Sequence, residues 1–239
     1  MVFMVLFCLF VYCPLAHWTW HPEGFLHRLG VLDFAGGIVV HASSGVAALA
    51  GAIFLGKRKN PGAHQPANVP FVLLGAAMLW LGWFGFNAGS SFAADSVAVK
   101  AFLNTNTASA TAMITWVVFD CLRGRKPSAM GAAIGAVVGL VAITPSAGYV
   151  SVGQSVFISF VTTIVCNLAV TWKNKASTFD DALDVFPTHG VGGIVGTLMT
   201  GIFVYEAGDI SHFASFLRYV LAVVLVFFYT FGVTYLLYW

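Results

Sequence analysis

Two histidines stand inside apolar stretches long enough to cross a bilayer, and each is followed four residues later by glycine: His41 with Gly45, and His189 with Gly193. A titratable ring in hydrocarbon is costly unless it lines a pathway or finds a polar partner. At a rise of ~1.5 Å per residue, His41 lies about 13 Å deep if its span starts at Leu32. His189 lies about 10 Å deep from the opposite face if its span starts at Ala182, by the same rise. In a hydrocarbon core of ~30 Å the two rings then sit within roughly 7 Å of each other in height. Imidazoles at matched depth can share a hydrogen bond and hold or pass a proton. The glycine one turn away leaves each helix narrow beside its ring, and Pro187 loosens the helix just before His189. The plain alternative is that each histidine only bonds a neighbouring helix.

A second set of residues shares a helix face: Trp83, Phe86, Asn87 and Ser90, at i, i+3, i+4 and i+7. Aromatic faces attract cations, and a hydroxyl accepts from a cation's N–H. Trp20 can add another aromatic wall. An interfacial aromatic belt is the competing explanation. Asp33 precedes His41 by eight residues; it can hold a cation or accept backbone N–H groups at the helix start, and the second role is expected. Asp180, Asp181 and Asp184 read as capping and dipole partners. Asn104, Thr105, Asn106 and Thr107 read as interhelical hydrogen-bonding groups.

These residues need helices to position them. The 239-residue chain is 59% hydrophobic and 8% charged, with a mean hydropathy of +0.88, too little charge for a water-facing surface. It is expected to be an all-α integral membrane protein with about eight transmembrane helices. The expected spans are Val2–Trp20, Leu32–Gly56, Pro70–Phe92, Ala101–Leu122, Ser128–Thr144, Val152–Trp172, Ala182–Val204 and Phe213–Trp239. The fifth is the shortest. Strict apolar alternation in short segments, the mark of a β-barrel, is absent from the sequence. Gly131, Gly135 and Gly139, and again Gly192 and Gly196, form small-residue ridges for close helix packing.

Lys57, Arg58, Lys59, Arg123, Arg125, Lys126, Lys173 and Lys175 fall on one side if the spans alternate, leaving Arg28, Lys100 and Arg218 on the other. Eight against three puts the first group in the cytoplasm, with both termini inside and HWTWHPEGF outside. Cys8, Cys13, Cys121 and Cys166 show no CxxC spacing and read as packing residues rather than disulfide or zinc ligands. A net charge of +2 gives no reason to invoke nucleic acid. The opening MVFMVLF lacks a basic n-region and a cleavage site, so it reads as chain entering in mid-protein rather than as a signal peptide.

Four blocks now become specific. PLAHWTWHPEGF, LDFAGGIVVH, LGWFGFNAGSS and DDALDVFPTHGVGGIVGTLMTGIF occur in an order that resembles the ammonium transporter family (Amt/Mep/Rh), along essentially the whole chain. Members are eleven-helix homotrimers with one narrow pore per subunit, in the cell (plasma) membrane. The resemblance implies that His41 and His189 are the twin pore histidines and that Trp20 and Ser90 belong to an outer recruitment site. It implies that Phe86 belongs to the aromatic gate below that site, and that Asp33 supports it. Trp83 and Asn87 are expected to line the pore. Trp20 looks more like the Amt branch than the Rh branch.

The eight spans resemble the fourth to eleventh family helices, so the resemblance implies that the first three, including one carrying another gate phenylalanine, are missing from this sequence. The family has two inverted five-helix repeats. Residues 1–56 correspond to the end of the first, 70–204 to the second and 213–239 to the last helix of one transmembrane domain. The chain is expected to be a partial sequence or truncated product, with its pore wall open on one side. The implied function is passage of ammonium or methylammonium: recruitment outside, deprotonation, and conduction of ammonia past the histidines. No cofactor and no enzymatic activity are expected. The rivals are an ammonium sensor without flux, a metalloenzyme using the histidines and an aspartate, and an inactive truncated subunit.

Overall fold

The computed structural model describes residues 1–59, 68–176, 179–204 and 212–239. Most of the connector after the second span lies outside the described residues. The described chain is helical, in eight main helices. They are α1 (2–20), α2 (Gly37–Leu55), α3 (Val69–Gly89), α4 (Ser96–Leu122), α5 (Ala129–Ile143), α6 (Val152–Ala176), α7 (186–203) and α8 (His212–Leu237). A single turn, Phe25–Arg28, follows α1.

Five segments are long and apolar enough to span a membrane on those criteria alone: Val2–Arg28, Gly37–Leu55, Val69–Gly89, Val152–Lys175 and His212–Leu237. The other three owe their place to packing. The 27-residue α4 carries a buried polar stripe that includes Asn104, Thr105 and Ser109. The α5 helix has only 15 residues, matching the expected shortest span. The α7 helix begins with a π-helical turn.

Starts and stops follow local chemistry. Asn68, Asp95 and Ser128 cap α3, α4 and α5, each accepting a backbone N–H three residues on. Pro145 ends α5 because it brings no N–H. The second span begins five residues later than the apolar pattern suggests. Residues 32–36 are not helical, and Gly36 sits at φ 117°, a left-handed conformation that glycine tolerates.

Lipid supplies little drive for helices to associate, so close contact of small residues and buried hydrogen bonds hold such bundles. The Gly131/Gly135/Gly139 ridge lies on Trp116, Ala112 and Ala108 of α4. Along α6, Ser155, Ser159, Thr163, Asn167 and Thr171 repeat every fourth residue and are buried. Ser155 donates to the Asn104 carbonyl at 3.0 Å, and Asn104 donates to Ala147 and Val150 at 2.9 and 2.8 Å. Thr105 likewise bonds across to α3, whereas Asn106 is exposed and Thr107 half-buried. The interhelical role thus belongs to two of the four residues of NTNT. An apolar core of Val11, Leu15, Ile38, Val39, Tyr219 and Val226 joins α1, α2 and α8.

The cationic ends converge as the charge pattern requires. Arg58, beyond α2, makes a two-pronged ion pair with Asp180 at 2.6 and 2.7 Å. Lys173 of α6 pairs with Asp184 at 2.5 Å. Arg125, beyond α4, reaches Thr171 of α6 at 2.9 Å. The ends of α2, α4 and α6 and the start of α7 therefore share one face of the bundle.

Candidate functional site

His41 and His189 each lie in a π-helical turn, over Gly37–Ala42 and Phe186–Gly190. A π turn inserts an extra residue and re-aims the side chains around it, and such turns concentrate at functional positions. Pro187 signals the second in the sequence. The first has a different origin. The Asp33 carboxylate folds over the start of α2, with Oδ1 accepting from Gly36 and Gly37 N–H at 2.9 and 2.6 Å. Oδ2 accepts from Ile38 and Val39 at 2.8 and 3.3 Å. Four backbone donors fill the acceptor capacity of one carboxylate. Asp33 is 4% exposed, so it acts on the backbone, as expected, and presents no free carboxylate to a cation.

The two π turns meet where α2 crosses α7. A methyl group on Gly45 would overlap the Gly190 backbone; one on Gly193 would crowd Ala42, Gly37 and the Cβ of His41. Each histidine helix thus packs its glycine against the other's histidine turn. The result is an Nδ1–Nδ1 distance of 3.4 Å between His189 and His41, with ring centres 5.4 Å apart. The pairing expected from matched depth is present.

Aromatic and hydroxyl groups surround the pair. Trp83 stacks on His41 at 5.2 Å and 19°, and Phe86 lies 6.0 Å from the same ring. His41 Nε2 is 3.3 Å from Thr144 Oγ1, which also accepts the Trp83 Nε1–H at 3.0 Å. Thr144 is the site residue that sequence reasoning missed. Its only signal is a threonine before proline at the end of an apolar run.

Three cavities follow one another along α3. A vestibule of about 420 Å³ is lined by Trp20, Asp33, Ser90, Ser91, Asp95 and Tyr149, among others. Trp20 donates its Nε1–H to the Asp33 carbonyl at 2.8 Å, which ties the indole to the α2 start. Ser90 donates to the Phe86 carbonyl at 2.9 Å, so its oxygen keeps acceptor capacity. A central cavity of about 400 Å³ is lined by His41, Trp83, Phe86, Leu79, Met78 and His189. An inner cavity of about 400 Å³ shares Leu79 and His189 and adds Val72, Val137 and Thr188. Met78, Leu79 and Phe86 are 65%, 52% and 39% exposed, so the wall beside α3 is open to one side.

The expectation for Asn87 needs correcting. Asn87 is fully buried and donates its amide to Thr105 Oγ1 on α4 at 2.9 Å. It lines none of these three cavities. Helical spacing put it on a face with Trp83, but that face spans two neighbours: Trp83 turns to α5 and the histidines, Asn87 to α4. Asp181 caps the α7 turn by accepting from Val185 and Phe186 N–H at 3.1 and 2.8 Å. Asp180 and Asp184 serve in ion pairs instead. Among the described residues, no group of three His, Cys, Asp or Glu is placed to hold a metal ion.

A helical multi-pass membrane protein with a histidine pair at a glycine-lined helix crossing is the class that fold and site define. The sequence model of the Ammonium Transporter Family matches residues 1–239, and the chain belongs to that family. It is 48% identical over 203 residues to the ammonium transporter of Bacillus subtilis, covering 85% of this chain and 50% of that protein. The crystal structure of Candida albicans Mep2 superposes with a TM-score of 0.91 at 41% identity, covering 99% of this chain and 56% of that one. A Sensor Amt Protein superposes at 0.86 with 33% identity, covering 93% and 59%. The chain thus spans little more than half the length of these relatives.

Proposed function

We propose that this chain forms most of the conduction path of an ammonium transporter. The observation that carries the reading is the histidine pair, 3.4 Å apart, between an outer vestibule and an inner cavity whose walls are otherwise largely apolar. Ammonium or methylammonium collects in the vestibule. There the Trp20 face offers cation–π attraction and the Ser90 oxygen accepts an N–H. The apolar passage beyond Phe86 penalises a bare ion, so NH4+ gives up its proton near that ring. Neutral ammonia then passes the histidine pair, which can hydrogen-bond it and carry the proton. Potassium has no proton to give and stays outside. Similarity to trimer-forming family members supports a homotrimer as the working unit.

The test is methylammonium uptake into liposomes carrying this chain, the protein at its relatives' full length, and a His189→Ala variant of each. Uptake that the variant abolishes supports the reading. Equal conductance for K+ and ammonium by the full-length protein sinks it. The likeness to a Sensor Amt Protein favours one alternative, an ammonium sensor: binding retained at full length with no uptake selects it.

A further inference from the structure

The Thr144 hydroxyl touches three polar groups: the Leu140 carbonyl at 2.8 Å, Trp83 Nε1 at 3.0 Å and His41 Nε2 at 3.3 Å. It has one proton to give and two lone pairs to offer. Where the proton goes follows from the end of α5. The Thr144 amide turns to the Val141 carbonyl at 3.3 Å, and Pro145, next in the chain, has no N–H. The hydroxyl is therefore the donor that serves the Leu140 carbonyl, in a place where Thr144 is fully buried and an unpaired carbonyl is costly. The indole of Trp83 only donates, and it takes one lone pair of the oxygen. What remains for His41 Nε2 is the second lone pair, so Nε2 must carry the hydrogen.

In the neutral pair this choice propagates. A neutral imidazole holds one N–H, so His41 Nδ1 is left as an acceptor. Its neighbour at 3.4 Å, His189 Nδ1, must then be the donor. That leaves His189 Nε2 bare, and it has no hydrogen-bond partner among the described residues. His189 lines both the central and the inner cavity.

We propose that Thr144 is a positioning residue that orients the whole histidine pair. Through it, the one lone pair the pair offers to a guest is Nε2 of His189, not either nitrogen of His41. What meets that lone pair rests on the transport reading: an ammonia N–H donates to it, or an ammonium ion transfers a proton to it. In the second case one N–H bond of NH4+ breaks with its electron pair staying on nitrogen. The Nε2–H bond forms from the imidazole lone pair, and the products are NH3 and a protonated His189. The two rings are therefore unequal partners, although they look symmetric in sequence.

The experiment is solid-state NMR of the full-length protein in bilayers, with 15N-labelled histidine, reading which nitrogen of each ring carries hydrogen. His41→Ala and His189→Ala samples assign the signals. Wild-type protein is expected to show His41 protonated at Nε2 and His189 at Nδ1. Thr144→Ser keeps the hydroxyl and should keep this pattern. Thr144→Val removes it and should let His41 populate both tautomers, while uptake falls by ~10-fold or more, as misplaced proton donors and acceptors commonly do. Wild-type His41 protonated at Nδ1 overturns the inference, as does a Thr144→Val protein with unchanged tautomers. The expected tautomers without uptake leave the inference standing and remove the transport reading. Normal uptake with the reverse tautomers does the opposite.

Discussion

Replacing Asp33 tests whether a carboxylate at the vestibule binds a cation or builds a helix. Asp33→Ala removes the acceptor for four N–H groups, those of Gly36, Gly37, Ile38 and Val39. A hydrogen bond to a charged acceptor contributes ~1.5–3 kcal/mol net, so four bonds set a gross loss of roughly 6–12 kcal/mol on that scale. Two effects offset it. The variant no longer buries a charge, whose desolvation costs several kcal/mol, and backbone beside the vestibule can recruit water in its place. We expect a net loss of about 3 kcal/mol, within the range for breaking a buried polar network. For a chain of this size that corresponds to ~6–12 °C in melting temperature. Asp33→Asn retains one oxygen for two of the four donors but turns an NH2 toward the others, so it should fall between wild type and Ala. The assay is thermal unfolding in detergent, paired with methylammonium binding measured well below the transition. A Asp33→Ala protein with unchanged melting but lost binding would falsify this account and return the carboxylate to the role of cation ligand.

Other expectations concern neighbouring positions. Gly193→Val should force α2 and α7 apart at the crossing, and a crosslink or distance measurement across it should report the separation together with loss of uptake. Asn87→Leu removes a donor from Thr105 but leaves that hydroxyl bonded to the Ala101 carbonyl. It should cost ~1 kcal/mol of stability and leave the preference for ammonium over K+ unchanged; a changed preference would restore Asn87 to the pore wall. Asp95 lines the vestibule as an exposed carboxylate held below the usual range, first by the Ala98 N–H and then by the Ser91 hydroxyl. Since its folded value is depressed, its stabilising effect is present above the unfolded value of ~3.9 and lost as pH falls through the folded one. Asp95→Asn keeps a competent cap. It should raise the KM for methylammonium at low ionic strength, and the difference should vanish at ~1 M salt, where the Debye length is about 3 Å.

Much of this protein was legible from residue order. Apolar runs marked all eight helices to within about five residues at each end, although only five segments are long and apolar enough to span a bilayer on those criteria alone. The charge count assigned three cationic ends to one face, and Arg58, Arg125 and Lys173 do meet partners there. The capping role of Asp33 followed from its place before a helix start. Matched depth brought His41 and His189 together on paper, since helical rise is nearly constant.

Tertiary structure decided what one helix's periodicity cannot. Spacing put Trp83 and Asn87 on one face, but only the positions of α4 and α5 show that they turn to different neighbours. The π turn at His41 carries no proline signal; it arises where the Asp33 carboxylate gathers four N–H groups and where Gly193 of another helix presses against the turn. Thr144 lies 103 residues from His41 in the chain, and nothing local marks it as a partner of that ring. A hydrogen bond depends on distance and direction between atoms that distant segments bring together, so the sequence named the histidines and the fold determined which way their protons point.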